Sequence, residues 1–145
     1  MKRVAILAVA ALLTACGGHA QPTAEDAARA WSAALNKNDN EGAANQFAPN
    51  AEIVQNGELV LPTHRDAVRW NAGLPCGGHI TRVIRQRKDQ VLVVFRLTER
   101  PGHHCDAPGI AAAAVFRVDH GKIVLWRQTN PPDEAPAPSG SGPSI

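Results

Sequence analysis

Apolar side chains follow two different periods along this chain, and the change from one to the other divides it. Between Thr23 and Asn36, the residues Ala27, Ala28, Trp31, Ala34 and Leu35 recur at three- and four-residue intervals, one stripe on an amphipathic helix. Thr23 reads as its N-cap, with Asp26 three positions on as the partner in a capping box. Asn38-Asp39-Asn40 breaks the helix, and a short second one carries Ala43, Ala44 and Phe47 inward before Pro49 stops it. Residues 51–55 then read as a strand, Asn56-Gly57 as a tight turn, and 58–61 as a second strand ended by Pro62. Thr63 and Asp66 repeat the capping pattern ahead of a third helix, which runs to about Asn71 with Ala67, Val68 and Trp70 available for burial. After a loop at 74–78 the segments read as strands. Residues 80–87, 90–99, 109–118 and 122–130, rich in Val, Ile and Leu, predict an antiparallel meander. Helices followed by a long meander define an α+β layer, a curved sheet with helices on one face. Residues 131–145, dominated by Pro, Ser and Gly, predict a disordered tail.

The first residues belong to neither period. Lys2 and Arg3 precede an apolar run at 4–13 that is too short to span a bilayer as a mature helix. The run ends in Leu13-Thr14-Ala15-Cys16, which resembles the lipobox of bacterial lipoproteins. That resemblance implies a signal peptide at 1–15, a diacylated Cys16 as the new N-terminus, and a membrane anchor, since each buried methylene adds about 0.8 kcal/mol. Residues 16–22 then form a short tether to a domain at 23–130. Gly17 rather than Asp follows the cysteine, so nothing resembles an inner-membrane retention signal. The implied address is the bacterial cell envelope, at the periplasmic face of the outer membrane.

Charge changes the picture less than the formal net value of +2 suggests. All thirteen acidic residues follow Cys16, and without Lys2 and Arg3 the chain also carries thirteen Lys and Arg. A chain so balanced lacks the clustered positive excess that nucleic-acid binding needs. The cluster Arg82, Arg85, Arg87 and Lys88 divides between the two faces of a strand and reads as a solvated hairpin end.

With Cys16 acylated, Cys76 and Cys105 remain as an even pair in an oxidising compartment, which favours a disulfide. Cys76-Gly77-Gly78-His79 and His103-His104-Cys105 also have the ligand types of a tetrahedral zinc site. Both cysteines flank the hairpin of 80–87 with 90–99, a placement that suits either. The compartment argues for the disulfide, leaving His79, His103 and His104 as loop residues, with no metal and no cofactor. His64 and His120 read as surface residues.

Three pieces taken together are similar to the nuclear-transport-factor-2-like superfamily, in its SnoaL-like and ketosteroid-isomerase-like branch. They are the helix, break, short helix and strand ending in FAPNAEIVQNG; the capped helix after it; and GIAAAAVFRVDHGKIVLWRQTN as a closing hairpin. The resemblance implies a cone: a curved antiparallel sheet of six strands wrapped around three N-terminal helices, with an apolar pocket at the wide end. It also implies homodimerisation through the outer sheet face, where alternation places Ile123 and Leu125.

The family's isomerases use a Tyr in the first helix, an Asp general base at the end of the first strand, and a second Asp on the strand before the last. The matching positions here are Trp31, Gln55 and Ala114. An indole donates one N–H, an amide has no basic site near neutral pH, and Ala has no polar group. Proton abstraction needs a base within reach of the substrate, and none of the three supplies one. The face shared by Val124, Trp126, Gln128 and Asn130, and that shared by Ile110, Ala112, Ala114 and Phe116, would still bound a pocket together with Trp31, Phe47, Gln55 and Trp70. In one reading the aromatic residues simply fill the core. In the other they line a cavity whose orienting polar groups are Gln55, Gln128 and Asn130. The function that follows is a non-catalytic, lipid-anchored binding module for a small hydrophobic ligand or a partner protein. The alternative is a SnoaL-like enzyme (isomerase, dehydratase or hydrolase) acting on a small apolar substrate through non-standard residues.

Overall fold

Thr23 and Thr63 open their helices by the same device. In the computed structural model, which describes residues 17–133, each hydroxyl accepts from the backbone N–H of the aspartate three residues on, at 3.2 and 3.3 Å. Each aspartate accepts in return from the threonine N–H, at 2.9 and 3.1 Å. A helix start leaves its first N–H groups without intrahelical partners, and such a cap contributes about 1 kcal/mol. Helix α1 spans Ala24–Asn36, α2 Asn40–Ala44 and α3 His64–Gly73. The expected signal peptide, Cys16 and the tail beyond Asp133 lie outside the described residues.

Six strands follow the helices or lie between them: β1 Phe47–Val54, β2 Glu58–Leu61, β3 Gly77–Arg87, β4 Gln90–Thr98, β5 Ala111–Asp119 and β6 Lys122–Thr129. They form one curved sheet in the order β2-β1-β6-β5-β4-β3. The meander thus joins the N-terminal hairpin through its last strand, and that junction, β1 with β6, is parallel where the expected sheet was antiparallel throughout. Helix α1 lies across β3 to β6, and α3 sits against β1 and β2. The concave face holds the main core, from Ala28 and Trp31 through Val93 and Phe95 to Phe116 and Trp126. A smaller apolar row on the other face joins Leu92, Val94, Ala113 and Val115, with Ile84 beside it.

Three irregularities move side chains away from the positions that simple alternation assigns. Phe47 belongs to β1, pairs with Ile123 of β6, and is not carried by α2. The register shifts between Phe47 and Glu52, with Pro49 and Asn50 exposed and Asn50 at φ 61°; a proline inside a strand is tolerated at such a break because it has no N–H to donate. On β6, Arg117 pairs with Leu125 but Val118 pairs with Ile123, leaving Val124 as an extra residue. A bulge of this kind reverses the faces beyond it. Ile123 therefore lies fully buried in the main core and not on the outer face assigned to it for a homodimer.

The third change is at the start of β3, where a loop at 74–78 was expected. Asn36 at the end of α1 donates Nδ2–H to Gly78 O at 2.9 Å and accepts from Gly78 N at 2.8 Å. This side-chain amide imitates a neighbouring strand, and the backbone of β3 is extended from Gly77 onward. The approach depends on glycine: a Cβ on Gly77 would collide with Asn36 Oδ1.

Candidate functional site

Trp31 is the centre of the concave face. Its ring lies 5.4 Å from Phe116, 6.0 Å from Trp126, 6.1 Å from Phe95 and 6.5 Å from Trp70, centroid to centroid. Trp70 in turn stands 5.1 Å from Trp126 and 5.6 Å from Phe47, both edge to face. Tilted and T-shaped pairs at these separations suit the ring quadrupoles and add about 0.5–1.5 kcal/mol each beyond area burial. The Trp31 indole N–H donates to Asn71 Oδ1 at 2.8 Å, and Asn71, fully buried, donates from Nδ2 to Ala67 O at 2.9 Å. The Trp31 indole thus spends its only donor inside the core.

The aromatic cluster fills one half of the cone and leaves the other half open. A cavity of about 170 Å³ remains beside Trp31 and Trp126. Its floor is formed by Ala112 and Ala114 of β5, small residues that leave the space above them empty. One wall is Trp31, Ser32 and Leu35 of α1; the other combines Phe95 and Leu97 of β4 with Trp126 of β6. The mouth is Leu74 to Gly78 on one side and Gln55 and Gln128 on the other. Val54 pairs with Arg127 in parallel register, which sets Gln55 and Gln128 next to one another at the ends of β1 and β6. Among the described residues, none on this lining is acidic, basic or a histidine. The Ser32 hydroxyl is taken up by Gly78 O at 3.0 Å.

The mouth loop is held from the far side by the β4–β5 connection. Cys76 and Cys105 form a disulfide, so neither sulfur is a thiolate available to a metal. Arg100, only 2 % exposed, donates from Nη1 to Asn71 O at 2.8 Å and to Leu74 O at 2.6 Å, and from Nη2 to Asn40 Oδ1. Burial pushes its guanidinium below the ordinary arginine value. A cation at the C-terminal carbonyls of α3 completes hydrogen bonds that the helix end leaves open. His103 adds a bond from Nε2 to Ala72 O at 3.0 Å. Two buried donors, Arg100 Nε and Trp126 Nε1, have no partner among the described residues.

Of the side chains expected around the cavity, Trp31, Gln55, Ala112, Ala114, Trp126 and Gln128 line it. Phe47, Trp70 and Phe116 do not: they pack behind Trp31 and Trp126 as the filled half of the cone. Asn130 lies past the end of β6 and is exposed, and Ile110, before β5, is 59 % exposed. Sequence reasoning missed Phe95, Leu97, Leu35 and the mouth loop. The first two were within reach: β4 alternates, and Phe95 sits opposite Ala112 in its register. The mouth loop is brought in by Asn36, Arg100 and the disulfide, contacts between residues far apart in sequence. His79, His103 and His104 do not converge. His79 is exposed on β3, and His104 faces only Asp106, at 3.8 Å and fully in solvent. Among the described residues no group of three or more His, Cys, Asp or Glu gathers into a metal-holding cluster.

Solved structures with this architecture confirm the fold as nuclear-transport-factor-2-like. The chain is similar to an NTF2-like protein of unknown function from Cytophaga hutchinsonii, with TM-score 0.61 and 14% identity over 76% of this chain and 91% of that one. It is similar to a cystatin-fold protein from Novosphingobium aromaticivorans, with TM-score 0.57 and 17% identity over 74% and 98% of the two chains. A third likeness is to a protein with a ketosteroid isomerase-like fold from Catenulispora acidiphila, in complex with trimethylamine, with TM-score 0.55 and 18% identity over 72% and 84%. No family model and no curated protein matches the chain.

Proposed function

We propose that this domain is a non-catalytic binding module, anchored through an acylated Cys16 at the periplasmic face of the outer membrane, that holds a small hydrophobic molecule in its cavity. The observation carrying the binding part is the lining itself: a cavity walled by Trp, Phe, Leu and Ala, with amides at the mouth and no ionisable side chain among the described residues that line it. That is the composition of a small-molecule site. General acid–base chemistry needs a group of suitable pKa within hydrogen-bond reach of the ligand, and a covalent mechanism needs an activated nucleophile. Ser32 has no base beside it, and Cys76 is bonded to Cys105. The anchor rests on the Leu13-Thr14-Ala15-Cys16 motif.

Native mass spectrometry of the protein extracted from envelopes tests both parts together. The expected species begins at Cys16, carries the mass of its acyl chains, and retains a small neutral adduct that is lost on collisional activation. An unacylated protein, or a Cys16→Ser variant with unchanged membrane partition, removes the anchor. Turnover of a small apolar substrate by the purified protein removes the non-catalytic reading.

A further inference from the structure

The size and polarity of the cavity narrow the ligand class. Resting on the binding reading above, we infer that the ligand is a neutral molecule of about one ring bearing a single hydrogen-bonding group, its ring between Trp31, Phe95 and Trp126 and its polar end at Gln55 and Gln128.

Volume sets the upper limit. The cavity measures about 170 Å³, and an apolar cavity of roughly 150 Å³ holds benzene. One ring with a short substituent fits; a fused four-ring skeleton does not. On the side away from the mouth the boundary is hard, because Trp31, in contact with the rings of Trp70, Phe95, Phe116 and Trp126 and hydrogen-bonded to Asn71, cannot swing aside without breaking that set.

Charge is excluded by what surrounds the space. An anion would leave water for a lining with no cation on it, and the nearest buried charge, Arg100, directs its Nη donors to Asn71 O, Leu74 O and Asn40. An ammonium would find aromatic faces, but no carboxylate lines the cavity, and the Arg100 guanidinium stands behind the Leu74 wall with the same sign. A neutral group pays neither cost.

The position of the polar end follows from which donors and acceptors are already in use. The Trp31 N–H and the Ser32 O–H are both engaged within the protein, and the Trp126 N–H, which has no partner among the described residues, is itself buried and not presented to the cavity. Gln55 and Gln128 sit side by side at the mouth, and each amide offers both a donor and an acceptor. A ligand carbonyl, hydroxyl or amide placed there is satisfied, while its ring rests over Ala112 and Ala114.

The test is an isosteric series titrated into the intact protein in detergent, with detergent alone as the blank: toluene, benzamide, benzoate, benzylamine at neutral pH, and a four-ring steroid. The readout is the shift of the tryptophan indole resonances. Saturable binding is expected for toluene and benzamide, with a benzamide dissociation constant of about 0.1–1 mM, the range that so few atoms support. Benzoate and benzylamine should bind at least tenfold more weakly, and the steroid not at all. Gln55→Leu should weaken benzamide about tenfold and leave toluene unchanged; Ala114→Leu should abolish both. If benzoate, benzylamine or the steroid binds as well as benzamide, and Ala114→Leu removes that binding, the cavity is the site but the ligand class is wrong. If nothing in the series saturates, or Ala114→Leu changes nothing, the cavity is not a binding site and the underlying reading falls with it. Should Ala114→Leu fail to fold, the contrast between benzamide and toluene in Gln55→Leu decides alone.

Discussion

The two sides of the cavity are held by different physics. Its back is a set of rings meeting at Trp31, where stability comes from buried apolar area and from ring edges directed at ring faces. Its mouth is a loop with little apolar burial of its own, clasped by a covalent bond, a buried guanidinium and a histidine. The back tolerates no change of shape, because close-packed rings have nowhere to move. The mouth tolerates changes of side chain as long as its tethers hold. A binding site made this way has one rigid surface that sets what fits and one fastened edge through which a ligand passes.

The largest expected effect breaks the back. Trp31→Ala removes the hub ring and leaves the buried Asn71 Oδ1 without its donor; it should cost about 3–5 kcal/mol, as large aromatic truncations do, read by urea denaturation. A cost below about 1 kcal/mol would mean that the rings are not a single packed unit. The mouth should respond less in stability and more in access. Replacing Cys76 and Cys105 together by Ser opens a loop of 29 residues' separation and should cost about 2–4 kcal/mol, with faster exchange of the amide hydrogens around Leu74. Equal protection in the oxidised protein and the double variant would show that Arg100 and His103 suffice to hold the loop.

The smallest effect lies outside both regions and calibrates them. Asp26 and Asp66 are held below the ordinary carboxylate range, Asp26 chiefly by the Thr23 N–H and Asp66 chiefly by the Thr63 hydroxyl. A carboxyl with a depressed folded-state pKa adds stability above its unfolded value of 3.8, and that contribution fades as pH falls through the lower folded value. Thermal unfolding should therefore show a fall in midpoint below about pH 4, and the Asp26→Asn, Asp66→Asn double variant should flatten it. An unchanged acid limb would mean that the capping boxes do not persist in solution. The double variant should leave the cavity unaltered.

Much of this architecture was legible beforehand. The capping pairs Thr23 with Asp26 and Thr63 with Asp66 are three residues apart, so the helix starts could be read directly. Ala112 and Ala114 announced an empty floor by their size and spacing. The site was legible in part for the same reason: Trp31, Gln55, Trp126 and Gln128 lie on elements whose facing follows from period and family pattern. Ile123 was misplaced because one extra residue, Val124, reverses the strand beyond it, and a bulge leaves no mark in a run of Lys, Ile, Val and Leu. Trp70 and Phe116 were placed on the lining because periodicity says only that a ring points inward, not which rings reach the cavity.

What the chain determined by itself was local: two capped helices, a strand period, a pair of cysteines, and the side chains of Trp31, Gln55 and Ala114, none of which is a base. These depend on neighbours within a few residues or on the chemistry of a single side chain. The tertiary structure decided that the three tryptophans meet and yet leave about 170 Å³ beside them. It also decided that the Trp31 donor turns inward to Asn71 and that Arg100 and a disulfide draw the mouth loop closed. Those outcomes depend on how volumes from α1, α3 and four strands fit into one space, and no segment of the sequence carries that sum.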